Sequence, residues 1–205
     1  DLFSTAVEGY QFNHFTVTYN EGTYQQEVVV TTINEGSRSF TMPDGDVTID
    51  ASYIAPRPYA LKNEAGDVLT IYFGGIATDG YDSNNSTWRT SEDSGWGEIK
   101  TSLTTVIIDP AMANCTSLTS MAYWFSGCTN LTEIQGLEYL KTQNVTDMSY
   151  LFEGCEGFEK LNLTTFDTRQ VTDMTAMFKG CTNLKRIFVD TNWSNALVTS
   201  SNNMF

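Results

Sequence analysis

The chain has 205 residues, of which 40% are apolar and 13% aromatic, enough to fold one or two domains and too much for a disordered segment. Lys and Arg total 11 against 25 Asp and Glu, a formal charge of −14, which excludes the basic surface that nucleic acid or an anionic membrane requires. No apolar run approaches the ~20 residues of a membrane-crossing helix, so insertion of this segment is not expected.

The acidity is uneven. Residues 1–100 hold 15 acids and 5 bases, net −10, and residues 101–205 hold 10 acids and 6 bases, net −4. The chain opens on Asp1 without an initiator Met or a signal segment, and reads as part of a longer protein.

In chain order, the first elements are strands. Phe15-Thr16-Val17-Thr18-Tyr19 and Glu27 to Ile33 are rich in β-branched and aromatic residues. Pro43-Asp44-Gly45 forms a turn, because Pro presets φ and Gly accepts a positive one. Beyond it Val47, Ile49, Ala51 and Tyr53 alternate with Thr48, Asp50 and Ser52, one buried face and one wet face. The sole histidine, His14, sits among strand residues and reads as structural. With Gly9-Tyr10 and Phe40 to Ile49, this segment resembles an internalin B-repeat-like bacterial module. The resemblance implies a partial small β module over residues 1–55.

Ala55-Pro56-Arg57-Pro58 reads as a stiff linker. Tyr59-Ala60-Leu61 and Val68 to Phe73 then flank Asn63-Glu64-Ala65-Gly66-Asp67, a hairpin pattern. Residues 56–102 are assigned as a linker and the N-terminal cap of a repeat region. Trp88 and Trp96 lie in a loop-rich stretch with Asp79, Asp82, Asn84 and Asp93. The acids lack the spacing of a calcium loop. The tryptophans read as packing residues of the cap, with sugar contact as the alternative.

The strongest signal is a repeat over residues 103–205. Trp124-Phe125-Ser126-Gly127-Cys128 returns as Leu151-Phe152-Glu153-Gly154-Cys155 and as Met177-Phe178-Lys179-Gly180-Cys181, and the chain ends on Met204-Phe205. These phenylalanines are 27, 26 and 27 residues apart. A unit of that length must bury its apolar face on copies of itself. Each copy pairs a short strand, such as Thr132-Glu133-Ile134-Gln135, with an expected helical turn. There Met148, Leu151 and Phe152 fall at i, i+3 and i+4, Thr146 or Asp147 stands at the N-cap, and Gly154 stands at the C-cap. The fold class this predicts is mixed α/β and β-rich: the β module, then a solenoid of about four coils with short parallel strands and helical turns, period 26–27. In the last copy Ser201 replaces the Met of Met148 and Met174, so that coil is expected to be weakest.

Cys128, Cys155 and Cys181 share one repeat phase and predict a ladder of free buried thiols. Cys115 is out of phase, and a Cys115–Cys128 disulfide is the alternative. No Cys-x-x-Cys occurs and no metal or cofactor site is assigned. A single His, no nucleophile motif and no phosphate loop give no catalytic residues. Outward strand positions form the first candidate contact surface: Gln135, Lys160, Asn162, Arg186 and Phe188, with Glu133, Lys160 and Arg186 expected as neighbours in a column. Trp88 and Trp96 are the second.

Asn144 to Cys155 and Phe166 to Met174 resemble the leucine-rich repeats of BspA-like bacterial surface proteins, in the Mycoplasma-type lipoprotein subtype, over residues 58–205. The resemblance implies an extracellular protein on a bacterial cell surface, without enzyme activity, whose partner is a host or bacterial surface protein or glycan. Adhesion through the strand face, a structural spacer or stalk, and a carbohydrate-binding module all remain open from sequence.

Overall fold

The computed structural model describes residues 11–21, 24–31, 47–54, 57–74, 81–82, 96–97 and 99–205. The chain divides into two compact units, Asp1–Pro56 and Arg57–Phe205. In the first, β1 (Gln11–Glu21) pairs antiparallel with β2 (Tyr24–Thr31) on one side and with β3 (Val47–Ile54) on the other. The register places Val17 opposite both Val28 and Ile49. The expected Pro43–Gly45 turn lies outside the described residues.

The second unit opens with an antiparallel hairpin, β4 (Pro58–Lys62) and β5 (Val68–Phe73). Its turn is built by Asn63. The Asn63 Oδ1 accepts from the Asp67 and Val68 amides at 3.1 and 3.2 Å, and the Asn63 Nδ2 donates to Asp67 Oδ1 at 2.7 Å. β6 (Tyr81–Asp82) joins the outer side of β4. On the other side β5 runs parallel to β7 (Thr105–Ile108), which runs parallel to β8 (Glu133–Gln135). This sheet has the order β6-β4-β5-β7-β8. A separate parallel pair is formed by β9 (Lys160–Asn162) and β10 (Arg186–Phe188).

The expected α/β solenoid with short helical turns is not what the chain forms. Among the described residues there is no α-helix, only 3-10 turns such as Pro110–Asn114, and the short strands fall into separate small sheets. The physical reason is visible in where backbone groups donate. In a helix the amides of Met148, Tyr150, Phe152 and Gly154 would bond back four residues. Instead they donate to the carbonyls of Asp173, Thr175, Met177 and Lys179 in the next repeat, at 2.7 to 2.9 Å. The intervening amides of Leu151, Glu153 and Cys155 close tight turns onto Met148, Tyr150 and Phe152. Left-handed backbone at Tyr150 (φ 57°) and Gly154 (φ 68°) stops any helix from propagating. The same conformation recurs at Tyr123, Ala176 and Asn203.

The apolar face expected at Met148, Leu151 and Phe152 is nonetheless buried, because consecutive tight turns of this length bring the same positions inward. The phenylalanines stack repeat on repeat: Phe125 on Phe152 at 5.6 Å, Phe152 on Phe178 at 5.8 Å, and Phe178 on Phe205 at 5.5 Å between ring centroids. Threonines tie the repeats together from the opposite direction. The amides and hydroxyls of Thr146, Thr172 and Thr199 both donate to the preceding threonine's carbonyl. Asp147 and Asp173 each accept, through Oδ1, the amide two residues on, so they brace turns and cap no helix. Ser201 is exposed and borders a cavity of about 370 Å³ beside Met174 and Met204.

Candidate functional site

Strand alternation builds the surface. In β9 the central Leu161 points into the core and its neighbours Lys160 and Asn162 are exposed; in β10 Arg186 and Phe188 are exposed around half-buried Ile187. The parallel register sets Lys160 beside Arg186 and Asn162 beside Phe188. Phe188 keeps 46% of its surface exposed, followed by Val189 at 44%.

Four of the five residues in the first candidate surface are therefore brought together. Gln135 is not among them, since it lies on β8 in the other sheet and donates to Glu133 Oε1 at 3.0 Å. The expected column of Glu133, Lys160 and Arg186 is broken at the same place. No ladder joins β8 to β9, and no ion pair links Glu133 to Lys160 among the described residues. Sequence phase assumed that every strand joins its successor. Beyond β8 the backbone turns left-handed at Gly136 (φ 78°) and enters the 3-10 turn Leu137–Tyr139, which has no counterpart beyond β9 or β10.

The second candidate surface divides differently. Trp88 lies outside the described residues. Trp96 is fully buried, and its indole Nε1–H donates to the Trp124 carbonyl. In later repeats the carbonyls in that phase, Leu151 and Met177, accept the amides of Phe125 and Phe152 from the repeat before. Trp96 thus fills the donor position of a preceding repeat, a role that no local motif signals.

The thiols do form a ladder. All four cysteines are free. Cys155 Sγ–H donates to the Phe125 carbonyl at 3.1 Å and Cys181 Sγ–H to the Phe152 carbonyl at 3.0 Å. Burial pushes the Cys181 thiol up to about 11, so it is protonated and a poor nucleophile at neutral pH. At the end of the last repeat a cavity of about 510 Å³ is lined by Phe178, Cys181, Leu184, Arg186 and Phe205, with Phe205 77% exposed.

Among the described residues no group of three or more His, Cys, Asp or Glu could hold a metal ion, and no helix is long and apolar enough to cross a membrane. No curated protein and no solved structure matches the chain. The repeats themselves, with β7 to β10, the phenylalanine stack and the thiol ladder, do have a counterpart: residues 104–205 match the family model described as Mycoplasma protein of unknown function, DUF285.

Proposed function

We propose that this chain is a non-catalytic binding module of a bacterial cell-surface protein, which engages a partner through the exposed face of β9 and β10. The observation that carries the reading is the grouping of Lys160, Asn162, Arg186 and Phe188 on adjacent strands. An exposed aromatic beside an arginine is the composition of an interaction hot spot, whereas a solvated face of a spacer has no need of either. The similarity of the repeats to BspA-like surface proteins supports the cell-surface placement. Buried Trp96 weakens the sugar-module alternative, whose other residue is Trp88.

The test is binding of the whole chain to an array of extracellular-matrix proteins, mucins and bacterial glycans, beside the triple variant Lys160→Ala, Arg186→Ala, Phe188→Ala, with folding checked by circular dichroism. Saturable binding that the folded variant loses is the expected result. Binding that the variant retains moves the site off this face, and no binding by the native chain returns the spacer reading.

A further inference from the structure

Residues 153–205 carry five cations, Lys160, Arg169, Lys179, Lys185 and Arg186. Three are matched to carboxylates: Arg169 to Asp167 at 2.5 Å, Lys179 to Glu153 at 3.0 Å and Lys185 to Glu159 at 3.3 Å. Lys160 and Arg186 have no carboxylate partner among the described residues. These two are register partners on strands about 4.8 Å apart. Like charges placed opposite each other across a sheet destabilise it, and a chain with 25 acids has no shortage of neutralising groups.

At the neighbouring register position Asn162 has the same donor-only character. Asn162 Oδ1 is occupied by the Thr164 amide at 3.1 Å and the Thr164 hydroxyl at 2.8 Å, so Asn162 offers a partner its NH₂ group. Beside it stands Phe188 with no charge of its own. The surface therefore presents two cations, one amide donor and one apolar ring, and asks for acceptors at one end and an apolar group at the other.

We infer that the β9–β10 face binds an acidic peptide segment, in which one carboxylate bridges Lys160 and Arg186 and an apolar side chain two residues along rests on Phe188. Two residues of extended chain span about 7 Å, which matches the two-residue step from Arg186 to Phe188 along β10. The intervening backbone carbonyl accepts from Asn162. Phe188 favours a peptide over a sulfated glycan, because burying an aromatic face needs an apolar partner. This inference rests on the strand-face reading and names its partner.

The experiment uses the whole chain and a fluorescein-labelled peptide, Thr-Glu-Thr-Leu-Thr, read by anisotropy at low salt. Replacing its Glu by Gln, or changing the protein by Lys160→Glu with Arg186→Glu, is expected to weaken binding about tenfold, two exposed ion pairs being lost. A peptide with Lys in place of Glu is expected to bind the doubly reversed protein and not the native one, which also shows that the variant is folded. A neutral peptide that binds equally well, or absence of peptide binding, overturns the inference. Binding of low-molecular-weight heparin alone, lost in the same variant, replaces the peptide by a polyanionic glycan. These outcomes are separable from failure of the strand-face reading, which is shown by the triple alanine variant keeping its array binding.

Discussion

Single residues in this chain are constrained by backbone approach more than by side-chain chemistry, and two glycines three residues apart show it. Gly154 is left-handed (φ +68°), but a Cβ there would meet only Gly127 backbone at 3.6 Å, an ordinary contact. Gly157 has no positive φ, yet a Cβ there would stand 2.4 Å from the Leu131 carbonyl oxygen of the preceding repeat, which cannot move without shifting that repeat. Gly154→Ala is therefore expected to lose about 1 to 2 kcal/mol, the cost of a left-handed alanine. Gly157→Ala is expected to lose about 3 kcal/mol or more through the forced separation of two packed segments. Urea denaturation of both variants checks the order, and equal losses would show that the repeats are looser than their packing indicates. Gly154 is legible in the sequence, because it recurs in the Gly-Cys motif. Gly157 is not, because nothing local distinguishes it.

At the scale of elements, the hairpin of β4 and β5 was legible because its turn is local: Asn63 and Gly66 supply what it needs within five residues. The phase of the buried positions was legible for the same reason, since Phe125, Phe152 and Phe178 repeat whatever the backbone does. The helical turn was not. Spacing i, i+3, i+4 is shared by a helix and by successive tight turns, and a left-handed Tyr150 is decided by bonds to another repeat. The break between β8 and β9 likewise depends on tertiary neighbours, and so does the partner of Trp96: its packing role in the cap was legible, its bond to the Trp124 carbonyl was not. Trp96 closes the exposed start of the repeats, so Trp96→Phe removes the donor to the Trp124 carbonyl and part of the buried ring. A loss of about 2 to 4 kcal/mol is expected, from an underbonded buried carbonyl together with a small cavity. The midpoint of urea unfolding should fall while its slope is unchanged, and binding by the β9–β10 face should persist in the folded fraction. Loss of binding without loss of stability would instead make Trp96 a contact residue.

Across the repeat region, each repeat bonds mainly to the one before and the one after, through the forward amides around Phe152 and the backward threonines. Stability in such an arrangement is close to a sum of nearest-neighbour terms, so what must be preserved is phase and not length. Deleting residues 153–178 joins Phe152 to Lys179 and restores the Phe-Lys-Gly-Cys sequence. Phe152 then occupies the place of Phe178 beneath Phe205. That variant is expected to fold, with stability lower by about 1 to 4 kcal/mol at the usual contribution per residue. Deleting residues 153–165 removes half as much chain and leaves every later phenylalanine, threonine and cysteine out of register. It is expected to unfold everything beyond Phe152, which proteolysis and circular dichroism would show. The in-phase deletion also removes Lys160 and Asn162 while keeping Arg186 and Phe188. A folded variant that no longer binds the acidic peptide would tie recognition to the side-by-side placement of two repeats, because neither strand carries both cations.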